Sequence, residues 1–233
     1  MSSVSPIIIA VDGPAGAGKS SVCRGTARLL GWHYLDTGAM YRAMTWAVLH
    51  AGIDPADAAA VAAFAPTPVI ASGTDPDAPT IVVDGTDVSA AIREPDVTTA
   101  VSAVSAVPKV RELLVARQRE AARAALQSGT GIVVEGRDIT TVVLPNAQVK
   151  IFLTADPQIR AQRRAKEEAG SAPVAGDAVR ATQEALQRRD QLDSTRAASP
   201  LTQSKDAAEL DTSHLTLDEV IEEVIARARA ASR

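Results

Sequence analysis

Residues Gly13-Pro14-Ala15-Gly16-Ala17-Gly18-Lys19-Ser20 follow directly on the apolar run Ile7-Ile8-Ile9-Ala10-Val11. The run is short and β-branched, as suits a strand buried on both faces of a parallel sheet. From Ser21 to Leu30 the apolar Val22, Ala27 and Leu30 share one side and Gly31 supplies a stop, so this stretch reads as a helix. Strand, glycine-rich loop and helix in that order form a phosphate-cradling P-loop. The glycines let backbone N–H groups converge on phosphate oxygens, and the helix N-terminus adds partial positive charge. Gly13, Pro14, Ala15, Gly16, Ala17, Gly18, Lys19, Ser20 and Ser21 are therefore the candidate set for a nucleoside triphosphate. Within it, Lys19 is expected to bridge the β- and γ-phosphates and the Ser20 hydroxyl to ligate Mg²⁺. The motif does not say what receives the phosphate.

Strand and helix signals alternate along most of the 233 residues, which argues for an α/β fold with a parallel sheet covered by helices. Trp32 to Leu35 reads as a second strand, Thr37 to His50 as a helix stopped by Gly52, and Ala56 to Ala63 as a short helix. Between Pro66 and Ile92 the texture changes to prolines and β-branched runs. There Ile81–Val83, the turn Asp84-Gly85 and Thr86–Val88 predict a hairpin, with Pro68–Ile70 as a third strand. This segment is too short to bury a core of its own and reads as a small β insert. Helices resume at Pro95 and at Pro108, the second running to Gln127; Gly131–Val134 and Val149–Leu153 read as strands. Asp156-Pro157 predicts an N-cap followed by proline at the first helical position, with that helix ending near Gly170. A polar loop, a helix over Asp177–Asp190, a strand at Glu209–Thr212 and a helix over Thr216–Ala230 complete the reading.

Aromatic residues make up only 3% of the chain against 46% hydrophobic residues overall, so the core must be built from Ala, Val, Leu and Ile. The net charge of −4 gives no general pull toward nucleic acid or membrane. The N-terminal apolar run is too short for a signal peptide, and no segment has the length to span a bilayer. A lone cysteine, Cys23, cannot form an internal disulfide and fits a reducing cytoplasm. Three scattered histidines and one cysteine give no zinc signature. No unexplained apolar stripe calls for a partner copy, so a monomer is expected.

The arginines carry the second signal. Leu35-Asp36-Thr37-Gly38-Ala39-Met40-Tyr41-Arg42 spans a strand-to-helix junction, and Gly136-Arg137-Asp138 follows the strand ending at Val134. Both lie at the carboxyl edge of the sheet, where open α/β folds bind ligands. Arg42 sits in the first turns of a helix, a place the macrodipole disfavours for a cation unless an anion is near. Arg111 opens the helix after Pro108, and Arg189 and Arg196 bracket Asp193. Arg160, Arg163 and Arg164 share one arc of the helix after Pro157, where Glu167 and Glu168 offer Arg163 and Arg164 solvated i,i+4 pairs instead. Guanidinium groups clamp phosphate with two donors and stay charged at neutral pH.

Taken together, Val11-Asp12-Gly13-Pro14 through Ser21, Leu35 to Arg42, Ile92-Arg93, Pro108 to Glu112, Glu135-Gly136-Arg137-Asp138 and Arg189-Asp190 through Asp193 and Arg196 resemble the bacterial cytidylate kinase family. The P-loop is shared by many families; Asp-Thr-Gly-Ala-Met-Tyr-Arg followed by Glu-Gly-Arg-Asp is far more specific. The resemblance implies one P-loop kinase domain over 1–233, with a five-stranded parallel sheet flanked by helices. It makes 66–92 the monophosphate-binding insert and 156–177 a helical lid. It implies that Ser102, Arg111 and Asp138 contact cytosine and that Arg189 and Asp193 face the sugar. Thr37, Arg42, Arg137 and Arg196 would hold the acceptor phosphate or the transferring group, and Arg163 and Arg164 would belong to the lid over ATP. Thr37 stands where the family often has Ser, and Glu135 where Asp is also common; a contact from Glu135 to Mg²⁺ through water would keep its charge and gain reach.

The implied reaction is transfer of the ATP γ-phosphoryl to CMP or dCMP. The acceptor oxygen belongs to a phosphate already ionised at neutral pH, so no general base is needed. The reaction needs in-line positioning, charge neutralisation by arginines and Mg²⁺, and exclusion of water by a closing lid hinged near Gly170 and Gly176. A P-loop kinase acting on UMP, AMP or shikimate shares all of these features, and spacing alone does not choose among the acceptors. A nucleotide-hydrolysing switch is disfavoured by the absence of an Asn-Lys-x-Asp guanine motif and by arginines crowding the acceptor side. A nucleic-acid binder is disfavoured by the acidic total.

Overall fold

The computed structural model describes residues 4–170, 173, 175–196 and 198–232, and of Glu168 the backbone only. Strand β1 (Ile8–Asp12) enters the P-loop, and α1 (Lys19–Leu30) leaves it, starting two residues earlier than the apolar spacing predicts. Then come β2 (His33–Asp36), α2 (Thr37–His50) and α3 (Ala58–Phe64). Asp36 caps α2 by accepting from the Ala39 amide at 2.9 Å, and Asp57 caps α3 in the same way.

The insert holds β3 (Ile70–Ser72), β4 (Ile81–Val83) and β5 (Thr86–Asp87) as a three-stranded antiparallel sheet. The hairpin turn is Asp84-Gly85, both at positive φ, as a two-residue hairpin demands. The first strand lies at Ile70–Ser72 rather than at Pro68–Ile70, because the proline cannot donate to the ladder and Ile70 must pair with Val83. Ile70, Ile81, Val83 and Val88 turn inward onto Met44 and Val48 of α2, so the insert shares the main core. Its loop is also strapped to β2 and to the P-loop helix. Thr74 O accepts from the Tyr34 amide, the Thr74 hydroxyl meets His33 Nδ1 at 2.9 Å, and Arg24 Nε donates to Pro76 O at 2.9 Å.

After a 3₁₀ turn at Ala91–Arg93 come α4 (Pro95–Ala106), α5 (Pro108–Gln127), β6 (Ile132–Glu135), a π-helical turn at Ile139–Val143 and β7 (Val149–Thr154). α6 (Pro157–Ala169) is capped by Asp156, as its sequence predicts. The polar loop expected beyond it falls in part at 171, 172 and 174, outside the described residues. α7 (Gly176–Thr195) runs five residues past the predicted end, which brings Asp193 into the helix. β8 (Ala208–Asp211) and α8 (Leu217–Ala231), the latter opened by a Thr216–Glu219 capping box, close the chain.

The main sheet has the order β2-β6-β1-β7-β8 with every pair parallel. One face packs under α2, α4 and α5, the other under α1 and α8, and both cores are aliphatic. The two tryptophans lie low in this frame. Trp32 precedes β2 and covers Gly131, where a Cβ would come within 2.3 Å of the indole; Trp46 stacks on His50 along α2. Asp12, Asp36, Glu135 and Thr154 end their strands at the opposite, carboxyl edge.

Candidate active site

The P-loop is shaped by glycine at two close approaches. Gly13 has φ +148°, and a Cβ there would sit 2.0 Å from the Leu153 carbonyl oxygen of β7. Gly16 has φ +76°, and a Cβ there would lie 3.0 Å from Arg160 O. Only glycine meets both demands. Lys19 Nζ folds back to donate to Gly13 O and Pro14 O, at 2.8 Å each. Burial, with Arg137 close by, pushes the Lys19 ammonium down to about 7. An anion in the loop would reverse that shift. Ser20 and Ser21 are exposed at the start of α1.

Glu135 ends β6 beside Asp36, with which it is in register. Its carboxylate is buried and accepts a hydrogen bond from the Tyr34 hydroxyl; the Ser20 side chain reaches it too. Burial and then Asp36 push this carboxyl up, against the pull of Lys19. Tyr34 is pushed up in turn by burial and by Glu135. Thr37 Oγ1 donates to Glu135 O at 2.7 Å, which fixes the start of α2 against the end of β6.

Arg42 Nη2 donates to Asp36 Oδ2 at 2.9 Å. Burial pushes Asp36 up, but Arg42 and the Ala39 amide outweigh it and hold the carboxyl below its ordinary range. The cation in the first turns of α2 is thus balanced by the helix cap itself. Arg42 Nε is buried without a partner and leaves one donor uncommitted.

On the other side of the P-loop the arginines form a ladder with two aspartates. Arg137 Nη1 donates to Gly13 O and its Nε to Asp193 Oδ2, both at 2.9 Å. Arg196 lies 3.9 Å from Asp193 and 3.9 Å from Asp138, and its Nε donates to Ser199 O at 2.5 Å. Arg111 pairs with Asp138, reaches Ser105 O at 3.4 Å and lies 5.5 Å over the Tyr41 ring. Arg189 is half-buried in the same group; burial and then Arg137 push it down to about 10. Burial and Arg111 lower Arg196 as well. So many guanidiniums crowded around two carboxylates leave an excess of positive charge, which suits a phosphate. Ser102 stands half-buried on α4, one turn before Ser105, whose hydroxyl donates to the Ser102 carbonyl at 3.1 Å.

The arginines of α6 separate. Arg163 donates to Thr212 Oγ1 at 2.8 Å and to Thr212 O at 2.6 Å rather than to Glu167. The Thr212 hydroxyl in turn reaches the P-loop at Ala17 O, 3.3 Å away. Arg164 Nη1 pairs with Glu167 at 3.1 Å, while the side chain of Glu168 lies outside the described residues. Arg160, evenly balanced between surface and site by its sequence, turns inward onto the P-loop at Ala15 O and pairs with Asp190.

Sequence reasoning missed three supporting residues. Asp12 accepts from Ile139 N and Thr140 N at 2.8 Å each and from the Thr140 hydroxyl at 2.6 Å. It thereby holds the π-helical turn, and with it Arg137 and Asp138, against the P-loop; burial pushes its carboxyl up in spite of these bonds. Tyr34 and Asp190 are the others. Asp12 and Asp190 lie within the sequence motifs Val11-Asp12-Gly13-Pro14 and Arg189-Asp190, but only the fold brings their partners to them.

A family model described as Cytidylate kinase matches residues 9–230. The cytidylate kinase of Streptomyces avermitilis is 55% identical over 222 residues, covering 95% of this chain and 92% of that one. The cytidylate kinase of Nocardia farcinica is 54% identical over 224 residues, covering 96% and 94%. Among solved structures, an uncharacterized protein from Eubacterium ventriosum overlays with a TM-score of 0.52 at 12% identity, over 96% of this chain and 98% of that one, and so shares the fold. With more than half of the residues identical along nearly the full length of both chains, this protein belongs to the cytidylate kinase family.

Proposed function

We propose that the protein transfers the γ-phosphoryl of ATP to CMP and dCMP, yielding CDP and dCDP. One observation carries the geometric side of this reading. Arg137 is bonded at once to the P-loop at Gly13 and to Asp193 of the arginine ladder, so it stands between the two anion-ready regions. A phosphoryl group passing between two phosphates needs positive charge at that point.

In this reading Gly13–Ser21 holds the ATP phosphates and Lys19 exchanges its loop carbonyls for phosphate oxygens. Arg42, Arg137 and Arg196 hold the acceptor phosphate with Thr37. Ser102, Arg111 and Asp138 read the cytosine, and Arg189 with Asp193 faces the sugar. Arg163 and Arg164 belong to the lid over 156–177, and 66–92 is the monophosphate-binding insert of one kinase domain. The Ser20 hydroxyl beside the Glu135 carboxylate offers the hard oxygen donors that Mg²⁺ takes, the remainder coming from phosphates and water. Mg²⁺ would supply charge neutralisation between the phosphates.

Among the described residues no helix is long and apolar enough to cross a membrane. A cytoplasmic, monomeric enzyme is the reading supported by a lone buried thiol and by exposed apolar side chains scattered over Leu29, Val69, Leu192, Leu215 and Leu217.

The test is ADP release from Mg·ATP in a coupled assay, with CMP, dCMP, UMP, AMP and shikimate offered separately. Fast turnover confined to CMP and dCMP is the expected result. Equal ADP release with no acceptor would make the protein an ATPase and withdraw the arginine roles.

A further inference from the structure

One residue of the P-loop has both its backbone polar groups, in two successive peptide units, held by residues of two other helices. The Ala15 N–H donates to Asp190 Oδ1 of α7 at 3.0 Å, and the Ala15 carbonyl accepts from Arg160 Nη1 of α6 at 3.0 Å. Asp190 and Arg160 are themselves ion-paired, with side chains only 16% and 9% exposed. The backbone of Gly16 lies close on Arg160, where an added Cβ would come within 3.0 Å of the Arg160 carbonyl oxygen. The two gripping residues lie 145 and 175 positions from Ala15 in the chain.

We infer that Arg160 and Asp190 are a positioning pair that sets the orientation of the two peptide units flanking Ala15, and through them the phosphate loop. The inference rests on the reading that Gly13–Ser21 holds the phosphates of ATP. The carboxylate is a costly partner for such a loop, because an anion beside a triphosphate site repels the ligand it serves. Arg160 removes that cost by pairing with the carboxylate and takes the Ala15 carbonyl with a second contact. The two residues therefore differ in what their loss does. Without Arg160, an unpaired Asp190 faces the phosphates; without the charge of Asp190, no such repulsion exists.

The experiment is calorimetric titration of Mg·ATP, and separately of CMP, into the full chain and into Arg160→Ala, Asp190→Asn and the double variant, each checked by circular dichroism. Loss of a charge-assisted contact predicts ATP binding at least about tenfold weaker in Arg160→Ala. CMP binding should stay within about twofold, because among the described residues the bonds of Arg160 and Asp190 run to Ala15 and to each other and not to the arginine ladder. Adding Asp190→Asn to Arg160→Ala should then restore part of the ATP affinity. The inference is overturned if Arg160→Ala binds ATP as the parent does, if CMP affinity falls in step, or if the double variant is no better than Arg160→Ala. If the parent chain itself fails to bind Mg·ATP, the reading of the loop fails first and the pair loses its role with it. Should Arg160→Ala not fold, Arg160→Gln in the same two backgrounds is judged by the same outcomes.

Discussion

Arg137 donates from Nη1 to the carbonyl of Gly13 at 2.9 Å, so the arginine that follows β6 is hydrogen-bonded to the first residue of the phosphate loop. Arg137→Ala removes this bond and the one to Asp193 without opening the core. Turnover should fall by about two orders of magnitude or more, the scale seen when one transition-state donor is lost. Arg42→Ala should behave alike, since among the described residues its side chain is hydrogen-bonded to the cap of its own helix and to no part of the core. Steady-state kinetics on variants with native circular dichroism decide the matter; near-normal turnover would remove either arginine from the chemistry.

Asp138 is the shared counter-ion of Arg111 and Arg196 and is 3% exposed. Asp138→Ala leaves two buried guanidiniums facing each other. Breaking a buried pair from one side costs about 3–5 kcal/mol, which urea unfolding would read as a lower midpoint with an unchanged slope. Unaltered stability would mean that water already screens this ladder.

Gly16→Ala asks an L-residue to hold φ +76° with its Cβ against Arg160 O. The backbone strain alone is worth about 1–3 kcal/mol. A lower melting temperature and weaker Mg·ATP binding are expected together. A variant that loses neither would show that the loop can move off α6.

The pH dependence follows from Lys19, pushed down from 10.5 to about 7. Below pH 7 its ammonium is charged in both the folded and the unfolded chain. Between about 7 and 10.5 only the unfolded chain keeps the proton, so this residue makes the fold more stable as pH rises through that window. Lys19→Met should flatten that part of the stability profile relative to the parent. Phosphates seated beside Lys19 would restore its charge, so Mg·ATP binding at pH 8 should take up protons, measurable by calorimetry in two buffers of different ionisation enthalpy. Equal heats in both buffers would refute the uptake.

The parts that were readable from the chain are those in which one residue type answers a local demand. The P-loop glycines, the Asp156 cap, the Asp84-Gly85 turn and the placement of Arg42 and Arg137 at strand ends all follow from near neighbours. What stayed hidden is pairing across the fold. Arg163 gives the same local pattern whether it meets Glu167 one turn on or the Thr212 hydroxyl 49 residues away. Asp12 carries no local sign of its partners, because its two amide donors belong to a π-helical turn five residues long, too short to leave a period in the sequence. α7 runs past its predicted end because Asp193, polar in sequence, is buried in the fold against Arg137 and Arg196.

The chain has two indoles, and both lie low in the molecule. Trp32 is sealed over Gly131 at the amino ends of the strands, and Trp46 is nine residues down α2 from Thr37, or about 13 Å at the rise of an α-helix. Optically, then, the protein is blind at its working edge. Its intrinsic tryptophan emission will follow denaturation of the aliphatic core faithfully and will hardly register the arrival of a nucleotide, so a fluorescence titration needs a reporter built in near the arginine ladder.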